Sequence, residues 1–285
     1  MDLRLDRLLT LYLISPLRRH ASGGEPSIPI LMYHSIADED EKGLHPYYRT
    51  ATAPSVFAAQ MDRLHRANFS VIGLAEAILR CGKHESAKGS VVITFDDGFR
   101  DFYTNAFPIL NRYGFTATMF LPTAHIGESQ LSFKGKECLS WGEVRELQKH
   151  GISFGSHTVT HPQLHDCDAT SIREEIVGSK QAIEQKLGCA VQSFSYPYAF
   201  PETDTGFKEM LREELRQSGY DNGVCTALGR PGPTSDPFFL KRLPVNSDDD
   251  QQLFLAKLAG SYDWLAKPQY LVKMAKKWAG TAPRQ

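Results

Sequence analysis

The sequence has few cysteines, and their arrangement does not suggest cross-links. Its 285 residues include five cysteines, widely spaced, and none of them forms a Cys-x-x-Cys pair. An odd number in such positions fits neither a disulfide framework nor a cysteine-based zinc site. We therefore expect reduced and mostly buried thiols.

An excess of charge of one sign is also lacking. The chain carries 32 Lys and Arg residues against 33 Asp and Glu residues, a formal net charge of −1. A chain without a net positive field has no overall attraction for a polyanion. Nucleic acid is therefore excluded as the expected partner.

A long hydrophobic run is missing as well. The apolar-leaning run near the N-terminus spans roughly nine residues and ends at Pro16 and two arginines, whereas about 20 residues are needed to cross a bilayer. No small-residue cleavage pattern follows it, so a secretory signal is not indicated and a cytoplasmic location is expected. Residues 264–280 interleave lysines with aromatic residues. A solvated lysine face is the first interpretation of that pattern, and weak peripheral contact of the terminal helices with the inner membrane is the second.

Short apolar runs that alternate with helical patterns fill most of the remaining chain. Apolar runs predict strands within 28–36, 69–74, 90–95, 116–122, 152–157, 191–197 and 222–228, and amphipathic patterns predict helices between them. Strands separated by helices pair in parallel, because a parallel neighbour needs a crossover connection. The alternation predicts a single α/β domain.

Polar residues end two of these predicted strands. Asp96 and Asp97 follow one apolar run directly, and His157 and His161 follow another. Sites in parallel α/β folds form at the carboxyl ends of strands, and adjacent carboxylates there require a cation or a proton. The His-x-x-x-His segment favours a turn over a helix, since helix-poor residues fill it and Pro162 follows. One carboxylate with two imidazoles predicts a three-ligand catalytic metal site with zinc as the first choice.

The segments TFDDG and SHTVTH resemble the first two motifs of the polysaccharide deacetylases of carbohydrate esterase family 4. ILMYHSI, LSWGEVRELQKHG and FSYPYA extend the resemblance over about residues 28–245. The resemblance implies a distorted (β/α) barrel with about seven parallel strands. It also implies that Asp97, His157 and His161 bind a divalent metal, most often Zn²⁺, and that Asp96 is the general base.

Further roles follow from the resemblance and from two departures from the family pattern. Tyr198 matches the residue whose backbone N–H stabilises the oxyanion. The usual third motif, Arg-Pro-Pro-Tyr-Gly, is replaced by a segment that starts with Ser195, so Arg242 is the candidate for the missing arginine. The family's late Leu-x-His has no match, since the last histidine is His165. In a subgroup with permuted motifs an N-terminal Tyr-His supplies the general acid, and His34 fits that position.

The resulting expectation is a metal-dependent hydrolase that removes an N-acetyl group from an amino sugar in a glycan or glycan precursor. One alternative is a deacetylase or deformylase of a lipid-linked or nucleotide-linked sugar, and another is a non-catalytic glycan-binding barrel. The predicted division is an N-terminal helical extension (1–27), the barrel (28–246) and a C-terminal helical tail (247–285). The loops 123–139 and 199–206 are expected to border the cleft. The aromatic residues expected to be exposed there and available to sugar rings are Tyr47, Tyr48, Phe133 and Phe200.

Overall fold

A closed ring of parallel strands forms the centre of the molecule. The computed structural model describes residues 4–20, 27–41, 43–82 and 89–278. The strands are β1 (Ile30–Tyr33), β2 (Ser70–Val71), β3 (Ser90–Phe95), β4 (Thr118–Leu121), β5 (Ser132–Phe133), β6 (Lys136–Glu137), β7 (Ser153–Ser156), β8 (Ser193–Ser195), β9 (Asn222–Leu228) and β10 (Leu240–Pro244). The ring runs β1-β3-β4-β7-β8-β9-β10 and closes because β1 pairs in parallel with both β3 and β10. Seven parallel strands in one domain confirm the predicted barrel.

Helices cover the outside of the ring, and further helices precede β1 and follow β10 in the chain. They are α1 (Leu5–Leu9), α2 (Ser15–His20), α3 (Pro54–Arg66), α4 (Leu74–Gly82), α5 (Phe107–Arg112), α6 (Trp141–Lys149), α7 (Ala169–Leu187), α8 (Thr205–Gln217), α9 (Gln251–Leu258) and α10 (Ala266–Trp278). Two π-helical turns, Thr10–Ile14 and Phe102–Ala106, lead into α2 and α5. This order is the strand-then-helix alternation that the sequence predicts.

Side chains alternate between the two faces of each strand, so every second residue points into the ring. Ile30, Val92, Phe120 and Leu240 belong to one buried apolar cluster together with residues of α4. Alternate residues of a strand point to the same face, so Thr94 and Asp96 continue the face of Val92 along β3. Arg242 continues the face of Leu240 in the same way. The ring is therefore apolar at its amino end and polar toward its carboxyl end.

The predicted strand at 69–74 is mostly absent. Only Ser70 and Val71 pair, with Ser90 and Val91 at the start of β3. From Val92 onward the same edge of β3 is occupied by β1. The other edge of β3 pairs with β4, so β2 has no free edge of β3 beyond Val91 and ends where β1 begins to pair.

The terminal helices pack against each other through polar contacts. Arg4 donates to Asp249 and Arg7 pairs with Asp250, which caps the N-terminus of α9. Residues 1–3 and 21–26 of the predicted extension and 279–285 of the predicted tail lie outside the described residues. The division at 27 and 246 stays a prediction. None of the helices in the described ranges has the length and apolarity to cross a membrane.

Candidate active site

Three polar side chains meet at the carboxyl end of the ring. Asp97 comes just after β3, and His157 comes just after β7. The Oδ1 atom of Asp97 lies 3.6 Å from Nε2 of His157 and 3.1 Å from Nε2 of His161. The structure therefore brings together the carboxylate and the two imidazoles that the sequence singles out.

This cluster has the donor set of a divalent metal site. One ligand atom from each of the three residues lies within 4.8 Å of the others, and all three residues are buried. Within the described residues, Oδ1 of Asp97 accepts no hydrogen bond. The Nδ1 atom of His157 hydrogen-bonds the Ser195 carbonyl at 2.8 Å, which leaves Nε2 directed at Asp97. An orphaned carboxylate oxygen that faces two imidazole nitrogens fits a bound cation.

Burial and neighbouring groups set the protonation of the cluster. Burial lowers the pKa of His161 to about 4, so its ring is neutral at pH 7. Burial alone would raise the pKa of Asp97, but the ring nitrogens of His157 and His161 outweigh it and hold that pKa well below its ordinary value. Neutral imidazole and ionised carboxylate are the forms that bind metals.

The backbone of this region is strained. Asp97, Lys134, Thr158, His161 and Tyr198 have positive φ angles of 72°, 51°, 67°, 60° and 59°. Among the described residues only one other non-glycine residue has such an angle. Left-handed backbone disfavours residues with a Cβ and concentrates at functional sites. The turn geometry after β7 also confirms that the His-x-x-x-His segment is not helical.

A second carboxylate lies beside the cluster and is held by a buried arginine. Asp96 accepts hydrogen bonds from Nη1 and Nη2 of Arg242 at 2.8 and 2.7 Å, and Arg242 is fully buried. The hydroxyl of Ser195 donates to Asp96 at 3.2 Å and accepts from Arg242 at 3.1 Å. Burial alone would raise the pKa of Asp96, yet the Arg242 charge and hydrogen bonds lower it to about 2. Asp96 is an oriented, ionised carboxylate.

His34 faces the same carboxylate from the neighbouring strand. It follows β1, and Tyr33 pairs with Phe95 in β3, so His34 lies alongside Asp96. Its Nε2 is 4.0 Å from Oδ2 of Asp96. Burial lowers the pKa of His34, so its resting form at pH 7 is the neutral imidazole. A neutral ring beside Asp96 can receive a proton from it.

Tyr198 borders the cluster on the side of β8. Its ring lies 4.7 Å from the His161 ring between centroids, and the residue is 41% exposed. The Thr226 hydroxyl donates to the Tyr198 carbonyl at 2.9 Å. These contacts hold the Tyr198 backbone next to His161, and its role toward an oxyanion stays a prediction.

Comparison with known proteins shows which family this chain is similar to. A family model described as polysaccharide deacetylase matches residues 83–223. YxkH of Bacillus subtilis (strain 168), which carries the name of a polysaccharide deacetylase, is 29% identical over 220 residues, covering 77% of this chain and 71% of that protein. In both comparisons the chain is similar to the polysaccharide deacetylase family. Another relative, the poly-beta-1,6-N-acetyl-D-glucosamine N-deacetylase of Staphylococcus aureus (strain MSSA476), is 24% identical over 212 residues, covering 71% of this chain and 70% of that one.

A solved structure shares the fold of this chain. Streptococcus pyogenes deacetylase PplD, solved in complex with acetate, superposes with a TM-score of 0.70 at 24% identity. The match covers 82% of this chain and 99% of PplD. At this identity the likeness concerns the fold.

Two contacts at this site were not anticipated from the sequence. Ser195 stands where the usual third motif has arginine, and its hydroxyl bridges Asp96 and Arg242. Its position at a departure from the family pattern was the one available signal. Lys134 lies 3.1 Å from Oδ2 of Asp97, and no sequence motif marks it.

The aromatic residues expected at the cleft divide into two groups. Phe133 lies 5.0 Å from the His161 ring, measured between centroids, and so borders the cluster. Phe200 instead is buried and packs on Tyr196 and Phe239, because the segment after β8 turns inward there. The expectation that Phe200 is exposed to a sugar ring is therefore wrong.

Proposed function

We propose that this protein is a metal-dependent hydrolase that removes the N-acetyl group from an amino sugar of a glycan or glycan precursor. The observation that carries the proposal is the placement of the Asp97, His157 and His161 cluster next to the Arg242-bound carboxylate of Asp96. A metal-ligand set beside an independent base is the arrangement that water attack on an amide requires. The name of the Staphylococcus aureus relative supports a β-1,6-linked N-acetylglucosamine polymer as the first substrate to test.

In the proposed assignment Asp97, His157 and His161 hold the metal, with Zn²⁺ as the first choice. Three nitrogen and oxygen ligands from the protein are typical of catalytic zinc sites, which keep a position open for water or substrate. When bound there, the metal would lower the pKa of a coordinated water and polarise the acyl carbonyl. His157, fixed by the Ser195 carbonyl, would keep its ring in the ligating orientation.

Asp96 would act as the general base. Arg242 and Ser195 hold its carboxylate in one orientation, so it would accept the proton of the attacking water without first rotating. The backbone N–H of Tyr198 would donate a hydrogen bond to the acyl oxygen when that oxygen becomes negatively charged on water attack.

His34 would act as the general acid toward the departing amine. A carboxyl with a pKa of about 2 does not retain a proton for long, and His34 is the neighbouring acceptor, 4.0 Å from Asp96. The proton taken from water would pass to His34 and then to the sugar nitrogen. This order agrees with the neutral resting form of His34, which donates only after it has been protonated.

Acetate release tests the proposal directly. The substrates are β-1,6-linked and β-1,4-linked N-acetylglucosamine oligosaccharides and nucleotide-linked and lipid-linked N-acetyl sugars, each with added Zn²⁺ or with a chelator. We expect release that the chelator abolishes and that Zn²⁺ restores. Asp96→Asn should retain the metal and lose turnover by about 10²-fold or more, because a carboxamide accepts no proton. The adjacent Asp97→Asn should instead weaken metal binding.

The same panel separates the alternatives. Acetate release from a linked monosaccharide but not from oligosaccharides would favour the lipid-linked or nucleotide-linked intermediate. Formate release from the N-formyl counterparts of the linked sugars, added to the panel, would identify a deformylase. Binding of oligosaccharides with no release from any substrate would favour the non-catalytic glycan-binding barrel. Equal metal loss in Asp96→Asn and Asp97→Asn would overturn the assignment of base and ligand.

A cytoplasmic location and weak peripheral membrane contact remain part of the proposal. Exposed apolar side chains on the first helices, Leu5, Tyr12 and Leu17 among them, are the feature on which such contact would rest. Co-sedimentation with vesicles containing anionic lipid tests the contact, and cell fractionation tests the location.

A further inference from the structure

A hairpin from the β4–α6 connection lies against the proposed metal cluster. Strands β5 and β6 pair as Ser132 with Glu137 and Phe133 with Lys136, which leaves Lys134 and Gly135 as a two-residue turn. Both turn residues have positive φ, 51° and 77°, as in the type I′ turns that favour such hairpins. Phe133 stacks on His125 with 4.2 Å between ring centroids and reaches to 5.0 Å from His161.

Backbone contacts fix this hairpin to the turn that carries Asp97. The Arg100 N–H donates to the Glu137 carbonyl at 2.9 Å, and the Leu139 N–H donates to the Gly98 carbonyl at 2.9 Å. Because both bonds join the base of the hairpin to residues just after Asp97, the turn residue Lys134 has a defined position relative to that carboxylate.

The Lys134 ammonium contacts the carboxylate oxygen that does not face the histidines. Its Nζ lies 3.1 Å from Oδ2 of Asp97, whereas Oδ1 faces the two ring nitrogens. The ammonium also lies 4.7 Å from the centroid of the Phe133 ring and 5.6 Å from that of Tyr198. Lys134 is 41% exposed and Asp97 only 4% exposed in their side chains. A lysine at the surface thus reaches a buried carboxylate between two aromatic rings.

We propose that Lys134 is a positioning residue that shares Asp97 with the bound metal and thereby weakens metal binding. This inference rests on the metal site of the proposed function. The ammonium holds Oδ2, so Oδ1 is the carboxylate oxygen that would remain for a metal. Two cations on one carboxylate repel each other, so Lys134 favours the metal-free protein over the metal-bound protein.

The expected size of the effect follows from the exposure of the lysine. Water screens a half-exposed ammonium strongly, and at a dielectric near that of water the repulsion from a divalent ion a few ångströms away is worth roughly a factor of ten in Kd. The same charge stabilises ionised Asp97 when no metal is bound. Removal of the Lys134 charge should therefore destabilise the metal-free protein and favour the metal-bound protein.

Lys134→Met tests this with Lys136→Met as its matched control. Lys136 is in the same hairpin but pairs with Glu39, so its loss changes the net charge equally without touching Asp97. Zn²⁺ affinity is measured on metal-stripped protein by competition with a chromophoric chelator. Tm is measured for the same samples in a chelator and in saturating Zn²⁺.

We expect Lys134→Met to bind Zn²⁺ about ten-fold more tightly than the parent and to have a lower Tm only in the chelator. Lys134→Arg keeps the charge and should stay within about three-fold of the parent, and Lys136→Met should leave the Kd unchanged. Lys134→Gln provides a second neutral side chain if the methionine variant folds poorly. An unchanged or weaker Zn²⁺ affinity in the neutral variants, or an equal loss of Tm in both conditions, overturns the inference. Zn²⁺ binding that survives His157→Ala with His161→Ala would instead overturn the metal site itself.

Discussion

Replacing Arg242 by methionine should expose how much the site depends on one buried ion pair. Arg242 donates to both oxygens of Asp96 and, through its remaining N–H groups, to Thr94, Ser195 and the Cys225 carbonyl. Removing one partner of such a pair leaves a buried charge uncompensated, which costs about 3–5 kcal/mol of unfolding free energy. We expect a loss of that size at pH 7 in Arg242→Met measured with a chelator present.

The pH dependence of this loss has a defined sign. In the parent, the folded pKa of Asp96 is about 2, below the ordinary value of about 3.9 in an unfolded chain. Its contribution, on the order of 2–3 kcal/mol, is therefore complete above about pH 5 and lost progressively as the pH falls toward 1. Without Arg242, burial raises the folded pKa of Asp96 above 3.9, so stability should decrease as the pH rises from about 4.

Urea denaturation at several pH values between 4 and 7.5 measures both effects. The double variant Arg242→Met with Asp96→Asn removes the stranded charge and should recover most of the lost stability, whereas Asp96→Asn alone should not be stabilising. Loss of less than 1 kcal/mol in Arg242→Met, or stability of that variant that does not fall as the pH rises from about 4, would refute the reasoning about this pair.

Three further outcomes are expected. His157→Ala with His161→Ala should abolish the binding of one divalent ion seen by calorimetry, and unchanged binding would contradict the ligand assignment. His34→Ala should lower amide turnover by more than about ten-fold and spare an ester whose leaving group needs no proton; amide turnover within two-fold of the parent rejects the acid role. Asp6→Asn should lower the unfolding free energy at pH 7 by up to about 2 kcal/mol, because Arg4 outweighs burial and lowers the pKa of Asp6 to about 2. Chemical denaturation should show that difference shrinking between pH 4 and pH 2.

The position of the cluster could be predicted from the sequence because polar residues there interrupt apolar strands. Asp96 and Asp97 follow a strand that is buried throughout, and His157 follows one whose last two residues are buried. The carboxyl ends of parallel strands meet on one side of a barrel. The turn at His161 was predictable too, since Pro162 and helix-poor neighbours oppose a helix. The residue types in these short segments were sufficient to predict where these residues lie in the fold.

Other features depend on contacts between distant segments and left little local signal. Lys134 is one of many loop lysines until the hairpin turn places it on Asp97. Ser247 and the three aspartates after it can all cap a helix, and the sequence favours Ser247, the first of them. In the structure Asp250 caps α9, while the Ser247 hydroxyl accepts from the Ala53 N–H at 2.7 Å. A run of residues that can all cap a helix leaves the choice to the tertiary structure.

The closure of the ring by β1 has a consequence for how the chain acquires its site during synthesis. The ion pair of Asp96 joins residues 146 positions apart, and β1 meets β10 by the pairing of Leu31 with Leu243. Contacts of such sequence separation form late, because the entropy of closing a long loop must be met before they contribute. While β10 is still inside the ribosome, Asp96 lacks its ion pair with Arg242 and β1 lacks its pairing with β10. Nascent chains should therefore be inactive until β10 has left the ribosome, because the pairing of β10 with β1 closes the barrel and also brings Arg242 to Asp96.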